Sequence, residues 1–187
     1  YQAVISMSEA LNKFNDCQVF LINVFGEFDE YENPNVWTLM DSGARGQDIL
    51  ATEVFPEGTV EYMNSSRRNA TYEEVLHFVH DYGIQIANPT MQNAILSAMD
   101  LAVQGGYYNP LSDLPTEDWD EEYLAMGLEC YFGIWSHDPY GNGYCGDQEY
   151  PFINREAMLD GDPELHSIIE GFFGSHWNYQ AKLPESF

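Results

Sequence analysis

The sequence predicts an α+β protein, mostly helical, with a small N-terminal β-sheet. Up to position 65, apolar and β-branched residues gather in short runs between turn residues, which is the pattern of strands. From position 70 onward, apolar residues recur at helical spacing in longer stretches with recognisable start and stop residues. No internal repeat, low-complexity tract or linker interrupts the 187 residues. One domain over 1–187 follows, with a strand-rich part at 1–65 and a helical part at 70–187.

Charge narrows the classes of partner. Six Lys and Arg stand against 31 Asp and Glu, a formal charge of −25. Nucleic acid is disfavoured, because phosphates need basic partners. An anionic membrane surface is disfavoured for the same reason. No stretch is long and apolar enough to span a bilayer. Such a charge favours cation binding and suits an extracellular setting. The chain opens at Tyr1, so it reads as a processed product, and a secreted location is expected. Two N-glycosylation patterns occur, at Asn64 and Asn69.

There are three cysteines, Cys17, Cys130 and Cys145, and no CxxC, which argues against a thiolate zinc site. Cys130 and Cys145 flank one Gly-rich turn and are the preferred disulfide pair.

In chain order, Ser8–Phe14 reads as the end of a short helix. Cys17–Phe25, Val36–Met40 and Ile49–Phe55 read as strands, with turns at Asp41–Gly46 and Pro56–Gly58. Arg67 and Arg68 lie in a polar loop and are expected to pair with acids or to neutralise an anionic group. The helix Thr71–Tyr82 follows. Thr71 with Glu74 forms a capping-box pattern, and Gly83 is expected to stop the helix. Asn88–Pro89–Thr90 opens another, with Met91, Ala94, Ile95, Ala98, Met99, Leu101 and Ala102 as its apolar surface and Gly105–Gly106 as its stop. A third runs from about Glu117 to Trp135. It is apolar around most of its circumference, yet Glu122 and Glu129 share a stripe of it. A buried carboxylate is costly unless paired or bound to a metal. Asn154–Leu159 is a short helix. Asp162–Pro163–Glu164 opens the last, with Leu165, Ile168, Ile169, Phe172 and Phe173 on its apolar face.

The Thr71–Tyr82 helix carries the candidate chemistry. At ~100° per residue, Tyr72, Val75, Leu76, Phe78, Val79 and Tyr82 make one broad face. Glu73, His77 and His80 fall in a narrow stripe on the other side. That stripe is either a solvated polar face or the beginning of a metal site. Glu73 and His80 lie about 10.5 Å apart along the axis at 1.5 Å rise. The ligating pair is therefore Glu73 with His77, or His77 with His80. The loop Ser136–Asp147 offers His137, Asp138, Asn142 and Asp147. It lacks EF-hand spacing and reads as a turn-rich loop, with calcium binding as the alternative.

Taken together, the two helices resemble the gluzincin-type zinc metallopeptidases, of the anthrax lethal factor catalytic-domain kind. The resemblance spans roughly Thr71–Phe173. Glu73-Glu74-Val75-Leu76-His77 occupies the place of that family's His-Glu-x-x-His. Glu122-Tyr123-Leu124-Ala125 resembles the opening of its second helix, and Asp162-Pro163-Glu164-Leu165 its tail. The resemblance implies a zincin-like domain. It makes His77 and Glu122 metal ligands and Glu74 the general base. Glu73 stands where the family has its first histidine, with His80 as a substitute one turn beyond His77. No tyrosine shortly precedes Glu122, where that family places one. The implied function is a secreted, metal-dependent peptidase acting on a peptide or protein, with zinc as the cofactor. The alternative is a catalytically inactive zincin-like acidic domain for adhesion, assembly or calcium binding.

Overall fold

The computed structural model describes residues 17–22, 38, 41, 45–50, 54–64, 69–137, 141–146, 148–174 and 179–181. Among these the chain is mostly helical. Strand β1, Cys17–Ile22, pairs in parallel with β2, Arg45–Leu50, with Cys17 opposite Arg45 and Ile22 opposite Leu50. The expected third strand is thus shifted. β2 starts inside the stretch assigned to a turn and ends at Leu50, and Val54 makes only an isolated bridge to Asn69. Backbone pairing with β1 recruits the polar run Arg45–Asp48, whose own strand propensity is low. Thr38, expected in a strand, is helical. The remainder of Val36–Met40, and Ser8–Phe14, Arg67 and Arg68, lie outside the described residues.

Helix α1 is Val60–Asn64, and α2 begins as Thr71–Val79. The capping box does not form. Ala70 is the cap residue, and Thr71 is already the first helical residue, its N–H satisfied by Asn69 Oδ1 at 3.1 Å. Gly83 does not end the helix either. The chain passes through a π-helical turn, His80–Ile84, and returns to α geometry over Gln85–Ala87. What stops it is Pro89: the residue before a proline is pushed out of helical conformation, and Asn88 sits at φ −136° and ψ 66°.

Asn88 then caps α3, Pro89–Gly105, accepting from the Met91 N–H at 3.2 Å. Gly106 closes α3 in the left-handed conformation at φ 72°, where glycine carries no Cβ penalty. A short 3-10 turn, Thr116–Asp118, leads into α4, Trp119–Tyr131. Asn154 and Asp162 cap α5, Arg155–Gly161, and α6, Pro163–Phe173, through their side chains.

Helix α4 is the centre of the molecule. It packs against α2, α3, α5 and α6. Every residue from Tyr123 to Tyr131 is buried. Gly127 permits the approach of α6, since a Cβ there would meet Leu165 Cδ2 at 2.3 Å. Cys130 at its end is joined to Cys145 by a disulfide, the pair preferred from the sequence. A buried carboxylate organises the far end of the core. Asp162 accepts from Tyr123 Oη at 2.5 Å, Tyr150 Oη at 2.9 Å and the Leu165 N–H at 3.2 Å. Burial raises its pKa, and the three hydrogen bonds oppose that shift.

Candidate metal centre

Both faces of α2 are partly buried: Phe78 on the apolar face is in the core and Leu76 and Val79 pack against it. His77 and His80 are buried, at 7% and 0% exposure, whereas Tyr72 and Val75 on the apolar face are 44% and 40% exposed. The apolar face also lines a cavity of about 640 Å³, together with Leu128, Phe172 and Phe173. The polar stripe faces α4. The solvated reading of the stripe is therefore wrong for its two histidines.

Glu73, His77 and Glu122 each offer a ligand atom, and the three atoms lie within 4.8 Å of one another. Glu73 and His77 are brought to the same face by their i,i+4 spacing. Glu122 comes from the first turn of α4, where the N-terminal helix dipole favours an acid. His77 Nε2 stands 3.7 Å from Glu122 Oε1. On the other side of the ring, Nδ1 stands 3.9 Å from Glu74 Oε2. That carboxylate oxygen accepts from Gln47 Nε2 at 2.6 Å, which ties the helix to β2. Glu74 thus faces the nitrogen opposite the one facing Glu122.

His80 does not join His77. It belongs to a second group, with Asp81 and Glu121, again with one ligand atom from each within 4.8 Å. Its Nε2 lies 2.7 Å from Gln92 Oε1 on α3, and Gln92 Nε2 donates to Asp120 Oδ2 at 2.5 Å. Its Nδ1 is buried and makes no hydrogen bond among the described residues. Glu121 is pushed up to about 8, first by burial and then by the neighbouring charge and hydrogen bond of Asp81. Gln85 Nε2 donates to Asp81 Oδ1 at 3.0 Å.

Other candidates take structural parts. Glu129, 3% exposed, accepts from Trp135 Nε1 at 2.8 Å and joins neither ligand group. His137 sits between two backbone carbonyls, Ile134 at 3.2 Å and Tyr62 at 3.1 Å. Asn142 Oδ1 accepts from the Tyr144 N–H, while Asp138 and Asp147 lie outside the described residues.

Sequence reasoning missed Asp81, Glu121, Gln92 and Gln47. The acidic run Asp118–Glu122 was the available signal for Glu121. Adjacent helical residues point ~100° apart, so Glu121 and Glu122 can serve neighbouring groups. Asp81 had no such signal, because the π turn that sets its direction is not visible in periodicity.

Comparison of the chain with protein-family models, with curated proteins and with solved structures finds no match in any of the three. Among the described residues, no helix is long and apolar enough to cross a membrane.

Proposed function

We propose that the protein is a secreted, zincin-like metal-dependent peptidase whose ion is held by Glu73, His77 and Glu122 and whose general base is Glu74. The observation that carries this reading is the convergence of one imidazole and two carboxylates, from two packed helices, within 4.8 Å. That donor set suits zinc, which binds imidazole nitrogen and carboxylate oxygen. Two donors at ~2.0–2.1 Å from one tetrahedral ion stand about 3.3 Å apart. His77 Nε2 and Glu122 Oε1 are 3.7 Å apart, so that pair needs only a small closing movement, with Glu73 within 4.8 Å of both groups. An ion held there would supply Lewis acidity and bring the pKa of a bound water toward ~7.

The chain's own residues do the rest. Glu74 beside Nδ1 favours the tautomer that leaves Nε2 as the ligating atom. Gln47 holds Glu74 on the Nδ1 side of the ring, so to take the proton of a water on the Nε2 side its carboxylate would have to swing off Gln47; loss of such a base costs ~10²–10⁴ in rate. The −25 charge and the Cys130–Cys145 disulfide suit an oxidising, extracellular compartment.

Protein purified without chelator is expected to carry zinc at near-stoichiometric level and to cleave a general protein substrate in a chelator-sensitive way. Glu74→Gln is expected to lose at least about 100-fold in cleavage while still binding zinc, at saturating metal, about 10–100-fold more weakly. Zinc-free protein that gains no activity on zinc addition contradicts the reading.

One observation favours a second reading, a non-catalytic acidic metal-binding domain. Glu74 faces the nitrogen opposite Glu122, as a carboxylate that orients a ligating histidine does. In that case wild type binds zinc and cleaves nothing, and Glu74→Gln weakens the ion about 10–100-fold.

A further inference from the structure

The geometry points to a second divalent-cation position, formed by His80, Asp81 and Glu121 beside the first and not assigned by the peptidase reading. His80 and Asp81 project from the π turn of α2, and Glu121 from the first turn of α4. One ligand atom of each lies within 4.8 Å of the others.

The hydrogen bonds around His80 decide what its ring can offer. Gln92 donates through its amide nitrogen to the Asp120 carboxylate, so its oxygen is the end turned to His80. An oxygen acceptor 2.7 Å away places the proton on Nε2. In the neutral ring, Nδ1 then carries the lone pair. It lies in a side chain with 0% exposure and has no hydrogen-bond donor among the described residues. A buried acceptor without a donor is costly, and a cation relieves it. The relay has the form that ligating histidines use, with the far N–H given to an oxygen that is itself held. A π turn inside an α-helix recurs at functional sites, because it swings side chains out of helical phase. One imidazole and two carboxylates select a divalent transition metal over calcium, whose ligands are oxygens.

The test is zinc stoichiometry on metal-free protein, by titration calorimetry with elemental analysis of the gel-filtered product. Wild type is expected to take up two equivalents. Glu121→Gln and Asp81→Asn, both conservative at half-buried positions, are each expected to take up one, as is Glu122→Gln. Glu121→Gln combined with Glu122→Gln is expected to take up none. Melting of the metal-free variants within a few degrees of wild type shows that they fold. Nitrogen-15 spectra of metal-free wild type are expected to report a proton on His80 Nε2, and zinc to shift Nδ1. A single wild-type equivalent that Glu122→Gln removes and Glu121→Gln keeps overturns this proposal and spares the peptidase site. A single equivalent with the reverse pattern supports this position and removes the first. Two equivalents retained in both Glu121→Gln and Asp81→Asn also overturn it.

Discussion

His77 and His80 stand one turn apart on the same helix, both buried, and are held in different ways. His77 has a carboxylate toward each ring nitrogen, Glu74 at 3.9 Å and Glu122 at 3.7 Å. His80 has the Gln92 amide oxygen at 2.7 Å from Nε2, with the Asp120 carboxylate that holds this amide 3.9 Å from the same nitrogen. The first ring meets carboxylates directly, and the second meets an amide oxygen that orients it. Residue type and helical stripe are common to both, so it is the partners from β2, α3 and α4 that separate their chemistry. Asp162 supplies the contrast within the core. It is a carboxylate at 0% exposure that accepts from two tyrosines and a backbone N–H.

That contrast can be tested where its effect is largest. Asp162→Ala is expected to cost about 3–5 kcal/mol in chemical denaturation, because it strands two buried hydroxyls and a helix cap. Asp162→Asn should cost less. Burial raises the Asp162 pKa above its unfolded value, so its stabilising contribution is full below the unfolded pKa and is lost as pH rises through the folded one. The gap between wild type and Asp162→Asn should therefore be wider at pH 4 than at pH 7. An equal gap at both would show that the folded pKa is not raised.

Gln92→Leu comes next. It leaves His80 Nε2 and Asp120 without the amide between them and is expected to cost about 2 kcal/mol. A loss under about 0.5 kcal/mol would break the relay that distinguishes the two histidines. Gln47→Ala is the smallest change. It removes one hydrogen bond to a part-exposed carboxylate and should cost about 1 kcal/mol, with a weaker hold on zinc at the His77 group. Unchanged zinc affinity would show that Glu74 needs no anchor from β2.

Much of the helical half was legible from residues 70 onward. Asn88 and Asp162, each followed by proline, and Gly106 after α3 carry local capping chemistry that neighbouring structure does not override. Boundaries set by longer-range forces were not legible. β2 begins at Arg45 because β1 lies alongside it, and Gly83 stays helical because it sits inside a buried π turn. For the site, i,i+4 spacing made Glu73 with His77 readable. The burial of the polar stripe was not readable. Periodicity separates faces but does not say which face a neighbouring helix covers, and here α4 covers the histidines. His80 was legible as a ligand type, whereas its partner group depends on the π turn.

In the proposed peptidase, Glu73, His77 and Glu122 close on one ion. Anomalous diffraction at the zinc edge, from crystals grown with zinc, tests it most directly. A peak is expected about 2.0–2.2 Å from His77 Nε2 and from a carboxylate oxygen of Glu122. A zinc-containing crystal with no anomalous density between those two side chains would contradict it.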